Sequence, residues 1–303
     1  MSKKYTFDEC NLSNGFTLLM INYILFLNSD RGVFMANYLF NSDRNFNDDI
    51  DDQSYYYVVT HNDLITRASH DLTARELKMM DFVISKIKPE DRNFNVVETS
   101  LYEMGQLFGY TRNGKNYSDL AKAIGTLRKK EVLILDEQDR TITQTGWVQS
   151  AKYHETGQVQ IELSPDLAPY LLQLKSDYTQ YRLFDTVQLD SKYSIRLYKL
   201  MREANKDKGK TCPTLQATPE ELAKMMGSPK SYSFGDFNRN VLQPAMDEIN
   251  LKIDDMDLHM NKGTRGRKVV HLEIYNRFYP RNPKQDENST PVPMVDWLED
   301  LKK

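Results

Sequence analysis

Two helix-start signals recur at one fixed spacing along this chain, and that spacing limits what the chain can fold into. Ser100-Leu101-Tyr102-Glu103 and Thr218-Pro219-Glu220-Glu221 each set a hydroxyl residue three positions before a glutamate. In that pattern both side chains satisfy free amides in the first turn of a helix. The two signals lie 118 residues apart, and the same offset carries Met104, Leu107, Phe108 and Gly109 onto Leu222, Met225, Met226 and Gly227. It also carries Thr73 onto Ser191 and Leu77 onto Ile195. A repeat of this length means a duplicated domain rather than a solenoid of short units.

Each copy reads as three helices and a hairpin. In the first, Thr73-Ala74-Arg75-Glu76 opens a helix whose stripe is Leu77, Met80, Val83, Ile84 and Ile87. The Ser100 signal opens a short second helix that Gly109 stops, because a residue with positive φ is needed there. Ser118 is expected to cap a third helix with Leu120, Ile124 and Leu127 on one face. Strands are expected over 132–135, 141–153 and 158–163, with a turn at Thr156-Gly157. In the second copy, Gly227 stops the second helix and a third helix runs from about Phe234 to Leu251. Its core stripe is Phe237, Val241, Leu242, Ala245 and Ile249, and Pro244 inside it is expected to kink it or cost a hydrogen bond. A hairpin follows, with its turn over Asn261–Gly266 and a strand buried on one face through Val270, Leu272 and Ile274.

The predicted fold class is therefore α+β, two tandem winged helix-turn-helix domains joined by a linking helix. The division expected is a first domain over 55–164, the linking helix over 165–189, a second domain over 190–279 and a flexible, Pro- and Asn-rich tail over 280–303. Residues 1–54 carry no sustained period and end in an Asn/Asp run; they read as a poorly ordered extension or as translated upstream DNA, with the true start at Met35 or later. The one apolar run there, Phe16–Leu27, is interrupted by Asn22, is too short to span a bilayer and is followed by no small-residue cleavage site. Two distant cysteines, Cys10 and Cys212, give no disulfide framework and fit a reducing compartment. A cytoplasmic protein with no membrane partner is expected.

Charge bears on what such a fold would bind. The whole chain is net −3, but residues 186–280 hold 16 cationic side chains against 12 acidic ones. Local charge decides contact with phosphates, since salt screens interactions beyond roughly 8 Å. In a helix-turn-helix the third helix enters the major groove. Here its outward residues are Asn238, Arg239, Asn240 and Gln243. Arg reads guanine in bidentate fashion, and Asn and Gln read adenine. Tyr232 and Ser233, at the helix start, are candidates for phosphate contact. The hairpin segment from His259 to Lys268 holds Lys262, Arg265, Arg267 and Lys268 and no acid. The first copy repeats the theme: Arg112, Lys115, Lys122, Arg128, Lys129 and Lys130 stand against Asp119 alone. Lys115, Lys122 and Lys129 are the second candidate contact, with Lys122 and Lys129 on one helix face.

Enzyme signatures fail on inspection. Gly109 to Lys115 spells the glycine and lysine positions of a phosphate loop, but Asn116 stands where a metal-binding hydroxyl belongs and a helix precedes it instead of a strand. The five histidines form no His-x-His pair of the kind a DNA-nicking tyrosine enzyme needs. No catalytic residue, cofactor or metal site is expected.

The sequence resembles the Rep initiator proteins of iteron-containing theta-replicating plasmids, especially those of Gram-positive bacteria. The resemblance spans about residues 57 to 279. It is carried by Val58-Val59-Thr60-His61-Asn62-Asp63-Leu64-Ile65, by Leu72-Thr73-Ala74-Arg75-Glu76, by Ile195-Arg196-Leu197-Tyr198-Lys199-Leu200 and, most specifically, by Phe237-Asn238-Arg239-Asn240-Val241-Leu242-Gln243-Pro244-Ala245. The resemblance implies a second domain dominant in reading double-stranded DNA, monomers on directly repeated origin sequences, and dimers that repress their own promoter. It implies a first domain that serves as dimer interface and secondary DNA contact, and recruitment of the host replication initiator and helicase. Some family members carry three consecutive arginines where this chain has Asn238-Arg239-Asn240, a departure that should shift the sequence read toward adenine. The competing reading is a stand-alone winged-helix transcription repressor.

Overall fold

The structure, a computed structural model, describes residues 57–87, 91, 93–94, 96–110, 114–136, 140–205 and 212–277. The expected extension over 1–54, the tail over 280–303 and Arg112 lie outside the described residues. The first unit runs β1 (Tyr57–His61), α1 (Asn62–Thr66), β2 (Ala68–Ser69), α2 (Ala74–Ser85), β3 (Val97–Ser100), α3 (Leu101–Leu107), α4 (Gly114–Leu127), β4 (Glu131–Asp136), β5 (Thr141–Gly146), β6 (Val148–Tyr153) and β7 (Gln158–Leu163). A tight helical turn (Pro165–Leu167), α5 (Ala168–Leu171), β8 (Tyr178–Arg182) and α6 (Leu183–Gln188) lead to α7 (Lys192–Ala204). The second unit continues with β9 (Thr214–Ala217), α8 (Pro219–Met225), α9 (Phe234–Phe237), a π-helical turn (Asn238–Leu242), α10 (Gln243–Lys252), β10 (Leu258–Arg265) and β11 (Lys268–Asn276).

The repeat read from the capping signals is a structural repeat. Helices α2 and α7 begin 118 residues apart, as do α3 and α8. Thr73 and Thr218 close full capping boxes: their backbone amides each donate to the glutamate at 2.8 Å, and the glutamate amides return bonds to the threonine hydroxyls. Ser100 closes half a box. It accepts from the Glu103 amide at 3.0 Å, but the Glu103 carboxylate turns to Thr99 and Lys86 instead. Gly109 and Gly227 both hold positive φ, 68° and 65°, at the ends of α3 and α8, where a side chain would be strained. In each unit a three-stranded antiparallel sheet follows, ordered β3-β7-β6 in the first and β10-β11-β9 in the second, so β6–β7 and β10–β11 are the two wings. The apolar core is one continuous cluster that runs through both units, from Val58 to Ile274.

Several expectations need correction. The stretch 165–189 is no single linking helix. Pro165 and Pro169 confine helix to short turns, and the chain then extends as β8, which returns to pair antiparallel with β1 from Tyr57↔Arg182 to His61↔Tyr178. The expected strand over 141–153 is two strands. It breaks at buried Trp147, so that β5 joins β4 and β2 while β6 joins the wing sheet. The β4–β5 hairpin is thus an addition to the first unit with no counterpart in the second. Helix α4 starts at Gly114, which leaves Ser118 inside it rather than at its cap.

Helix α2 is buried on more than its predicted stripe. Met79 and Phe82 are covered as fully as Leu77 and Met80, because β1 and α4 pack against the helix along with α6 and α7. Its Asp81 is 1% exposed, and its carboxylate accepts from the Tyr181 hydroxyl at 3.1 Å and the Lys199 ammonium at 2.6 Å. A buried acid persists only with such partners.

Candidate nucleic-acid interface

Ser233 caps α9. Its hydroxyl accepts from the Asp236 amide at 3.2 Å and donates to the Asp236 carboxylate at 2.7 Å. From there the predicted stripe Phe237, Val241, Leu242, Ala245 and Ile249 is buried as expected. The third helix departs from regular geometry just before Pro244: the turn there widens to π geometry, with the Gln243 amide donating five residues back to the Asn238 carbonyl. Proline has no amide to donate and its ring crowds the carbonyl four residues earlier; a widened turn relieves both problems, and such turns mark functional helices elsewhere.

Of the four predicted base-reading residues, Arg239, Asn240 and Gln243 are exposed on one side of this helix, and Asn238 departs from expectation. Asn238 is half-buried, with its side-chain carbonyl sealed from solvent and unpaired. Arg239 donates to Asp236 Oδ1 at 2.8 Å, and Gln243 donates to Asp247 Oδ1 at 2.9 Å. The Ser233 hydroxyl bond and the Arg239 charge together hold the Asp236 carboxyl below the usual carboxylate range, so it is fully charged at neutral pH.

The wing is longer and its turn tighter than the sequence predicted. Asn261–Arg265 belongs to β10, and the reversal sits at Gly266, with φ 62°. Gly263 is no turn glycine. It lies at a register shift, and a Cβ there would sit 3.1 Å from His271 Cβ, so it allows close approach across the strands. Val270, predicted to be buried, is exposed beyond the end of the core, while Leu272 and Ile274 are buried. Lys262, Arg265, Arg267 and Lys268 are all exposed. Lys262 pairs in register with Leu272 and so falls on the inner face of β10, in line with Leu258 and Met260. Its ammonium lies 5.6 Å from the centroid of the Phe234 ring on α9. Lys268 approaches Glu220 of α8 at 3.6 Å. The cationic hairpin and the start of the third helix therefore form one surface.

The first unit has the same arrangement with different residues. Lys115, Lys122 and Lys129 are exposed on or just after α4, and Asp119 lies 3.8 Å from Lys122. Lys130 is not free for a ligand: it bonds to Glu76 at 2.9 Å and to the Asp71 carbonyl at 2.9 Å, and so braces the start of α2. The first wing is tied to α4 by the Tyr153 hydroxyl, which donates to the Ala121 carbonyl at 3.2 Å. Exposed Lys152, Tyr153 and His154 at that wing were missed in the sequence reading. The domain repeat was the signal that pointed to them, since it requires a wing after α4 as well as after α10.

Among the described residues, no helix is long and apolar enough to cross a membrane, and no group of His, Cys, Asp or Glu side chains could hold a metal ion. A third helix tied to a hairpin wing, present twice on one core, defines a double winged-helix protein. The chain belongs to the initiator replication protein family: residues 57–202 match the family model described as Initiator Replication protein, WH1, and residues 218–276 match Initiator Rep protein, WH2. The first match ends within α7, at Arg202. Among solved structures, the chain is similar to the Pi initiator protein crystallised in complex with iteron DNA, with TM-score 0.63 and 16% identity over 76% of this chain and 100% of that one. A selenomethionine derivative of domains 2 and 3 of RctB matches at TM-score 0.39 and 10% identity, over 71% of this chain and 81% of that one.

Proposed function

We propose that this protein initiates replication of a plasmid by binding directly repeated sequences in duplex origin DNA. The observation that carries the reading is the latch between Lys262 and Phe234, which sets the third helix and the cationic wing on a common face. A duplex needs both at once: side chains that reach base edges in the major groove, and cations that neutralise phosphates beside it. Family membership supplies the replication role, and the fold shared with the Pi initiator supports repeats as the form of the site. In this reading Arg239, Asn240 and Gln243 read bases, while Lys262, Arg265, Arg267 and Lys268 hold phosphates. Lys115, Lys122 and Lys129 of the first unit make a second contact.

The rest follows the family resemblance. Monomers occupy the repeats, dimers repress the protein's own promoter through the first domain, and host replication initiator and helicase join the opened origin in the cytoplasm. The mechanism is binding and DNA deformation, with no covalent step, catalytic residue or cofactor. Footprinting on the DNA beside the gene, at two salt concentrations, tests the reading. Tandem protected repeats next to an AT-rich segment are expected. A single protected operator without repeats would instead make the protein a stand-alone repressor, and cleavage of a supercoiled origin in the presence of magnesium would make it a nicking enzyme.

A further inference from the structure

An acid on a helix that faces phosphates is a liability, and Asp236 is such an acid. Four described helices carry an acid at the third position after a hydroxyl cap: Glu76, Glu103, Glu221 and Asp236. Glu76 and Glu221 reach back to the backbone amide of the cap, at 2.8 Å in each case, while Glu103 turns to Thr99 and Lys86. Asp236 is one carbon shorter and is used differently. Its Oδ2 accepts from the Ser233 hydroxyl at 2.7 Å, and its Oδ1 accepts from Arg239 Nη2 at 2.8 Å. The Arg239 Nε points to Asn240 Oδ1 at 3.5 Å. Ser233, Asp236 and Arg239 thus form one chain along the exposed face of the helix, with the carboxylate anchored at one end and the guanidinium held at the other.

We propose that Asp236 is a specificity-determining residue that acts by positioning Arg239. The inference rests on the reading that Arg239 faces the duplex. A free arginine on this face would bond to any phosphate, which adds affinity for every sequence and information about none. With one Nη2 hydrogen committed to Asp236, the guanidinium still has a fork of donors for the neutral O6/N7 edge of a guanine. A phosphate in the same place meets the Asp236 charge at close range and is repelled. Asp236 therefore weakens random contacts more than it weakens the correct one. It also orders a long side chain before binding, so that less freedom is lost in the specific complex.

The test measures binding of the full chain to two probes: the duplex protected in the footprint and a random-sequence duplex of equal length. D236N is expected to strengthen random binding, to steepen its salt dependence by about one counterion, and to lower the ratio of specific to random affinity about tenfold. In an R239A background the same change is expected to leave the ratio within about twofold, since a residue that works through Arg239 has nothing left to position. D236E keeps the charge and the cap, and its longer side chain can close the box as Glu76 and Glu221 do. It is expected to lower the ratio without strengthening random binding. Equal loss on both probes in D236N, an unchanged ratio in D236E, or the same D236N effect with and without Arg239 overturns the proposal and leaves the function intact. An R239A variant that keeps the parent's ratio overturns the recognition-helix reading itself, and the proposal with it.

Discussion

The Lys262 ammonium stands over the face of the Phe234 ring, 5.6 Å from its centroid, and so ties the wing of the second unit to the first turn of its third helix. A cation over an aromatic face contributes roughly 0.5–1 kcal/mol at an exposed site. That is enough to bias the wing's position without fixing it. The lysine stays exposed in this pose, so it remains able to contact a phosphate.

Lys262→Ala removes both roles. Binding to every duplex should weaken, and the slope of log affinity against log salt should flatten by about one. Phe234→Leu keeps the charge and removes the ring. It should leave the salt slope alone and lose affinity only through wing mobility. Titrations of both variants at several salt concentrations separate the two roles.

Arg239→Ala should cost roughly 1–3 kcal/mol on the specific site and relax discrimination at one or two base pairs. A panel of single-base variants of the protected duplex measures this. A uniform loss across the panel would mean that Arg239 holds phosphate rather than base.

The first unit's contact can be tested separately. Lys122 and Lys129 are exposed, and neither sits in the core. The double change to alanine should leave the melting temperature within a degree or two, as for exposed positions generally, and reduce the salt slope by up to about two. An unchanged slope would remove α4 from the DNA surface.

Gly227 and Gly266 both have positive φ, but only Gly227 has a neighbour in the way. A methyl group on Gly227 would overlap the guanidinium of Arg196, whose Nη2 donates to the His70 carbonyl at 2.6 Å and reaches His70 Nδ1 at 2.9 Å. Left-handed backbone costs a non-glycine residue about 1–2 kcal/mol. Gly266→Ala should show about that loss in urea denaturation. Gly227→Ala should show more, because a buried cation that bridges the two units must also move.

His70 sets a pH dependence. Although part of the ring meets solvent, surrounding protein and the cations Arg196, Lys199, Lys130 and Lys192 hold it well below the ordinary histidine range, so the folded protein keeps it neutral. In the unfolded chain it takes a proton near pH 6.5. Between that pH and the lower folded value the unfolded state binds more protons, so stability falls as pH falls. The contribution is complete above about pH 7 and is lost progressively below about 6.5. The carboxylates Glu76 and Glu248, held low by hydrogen bonds that outweigh their burial, are lost only at more acid pH. Denaturation midpoints from pH 7.5 to 5.5 should decline in the parent and stay level in His70→Gln.

The parts of the fold that local chemistry dictates could be read from the sequence. Thr73, Thr218, Gly109 and Gly227 announce their helix ends through their own side chains or the lack of one, and the core stripe of the third helix follows from periodicity alone. What escaped depended on partners far along the chain. Nothing near Tyr178 says that it will face His61, and nothing near Trp147 says that the strand must break there to feed two sheets. Met79 and Phe82 look like the outer face of α2 until α6 and α7 are known to cover it. At the candidate site, the exposure of Arg239, Gln243 and the wing cations was legible from their pattern. The sealing of Asn238 was not: Asn238 opens the π-helical turn, and a regular helical period does not foretell which side chains such a turn covers.

The pairing of β1 with β8 places the opening strand of the first unit against a strand made only after that whole unit has been synthesised. On the ribosome, β1 must wait as an unsatisfied edge until Arg182 has emerged, and contacts between segments so distant in sequence form slowly. A fragment cut at residue 164 would strand β1 permanently and invite it to pair with another chain. A piece of the first unit that satisfies β1 must therefore run at least through β8, so each nascent chain closes its first half only after the segment that leads into its second half has appeared.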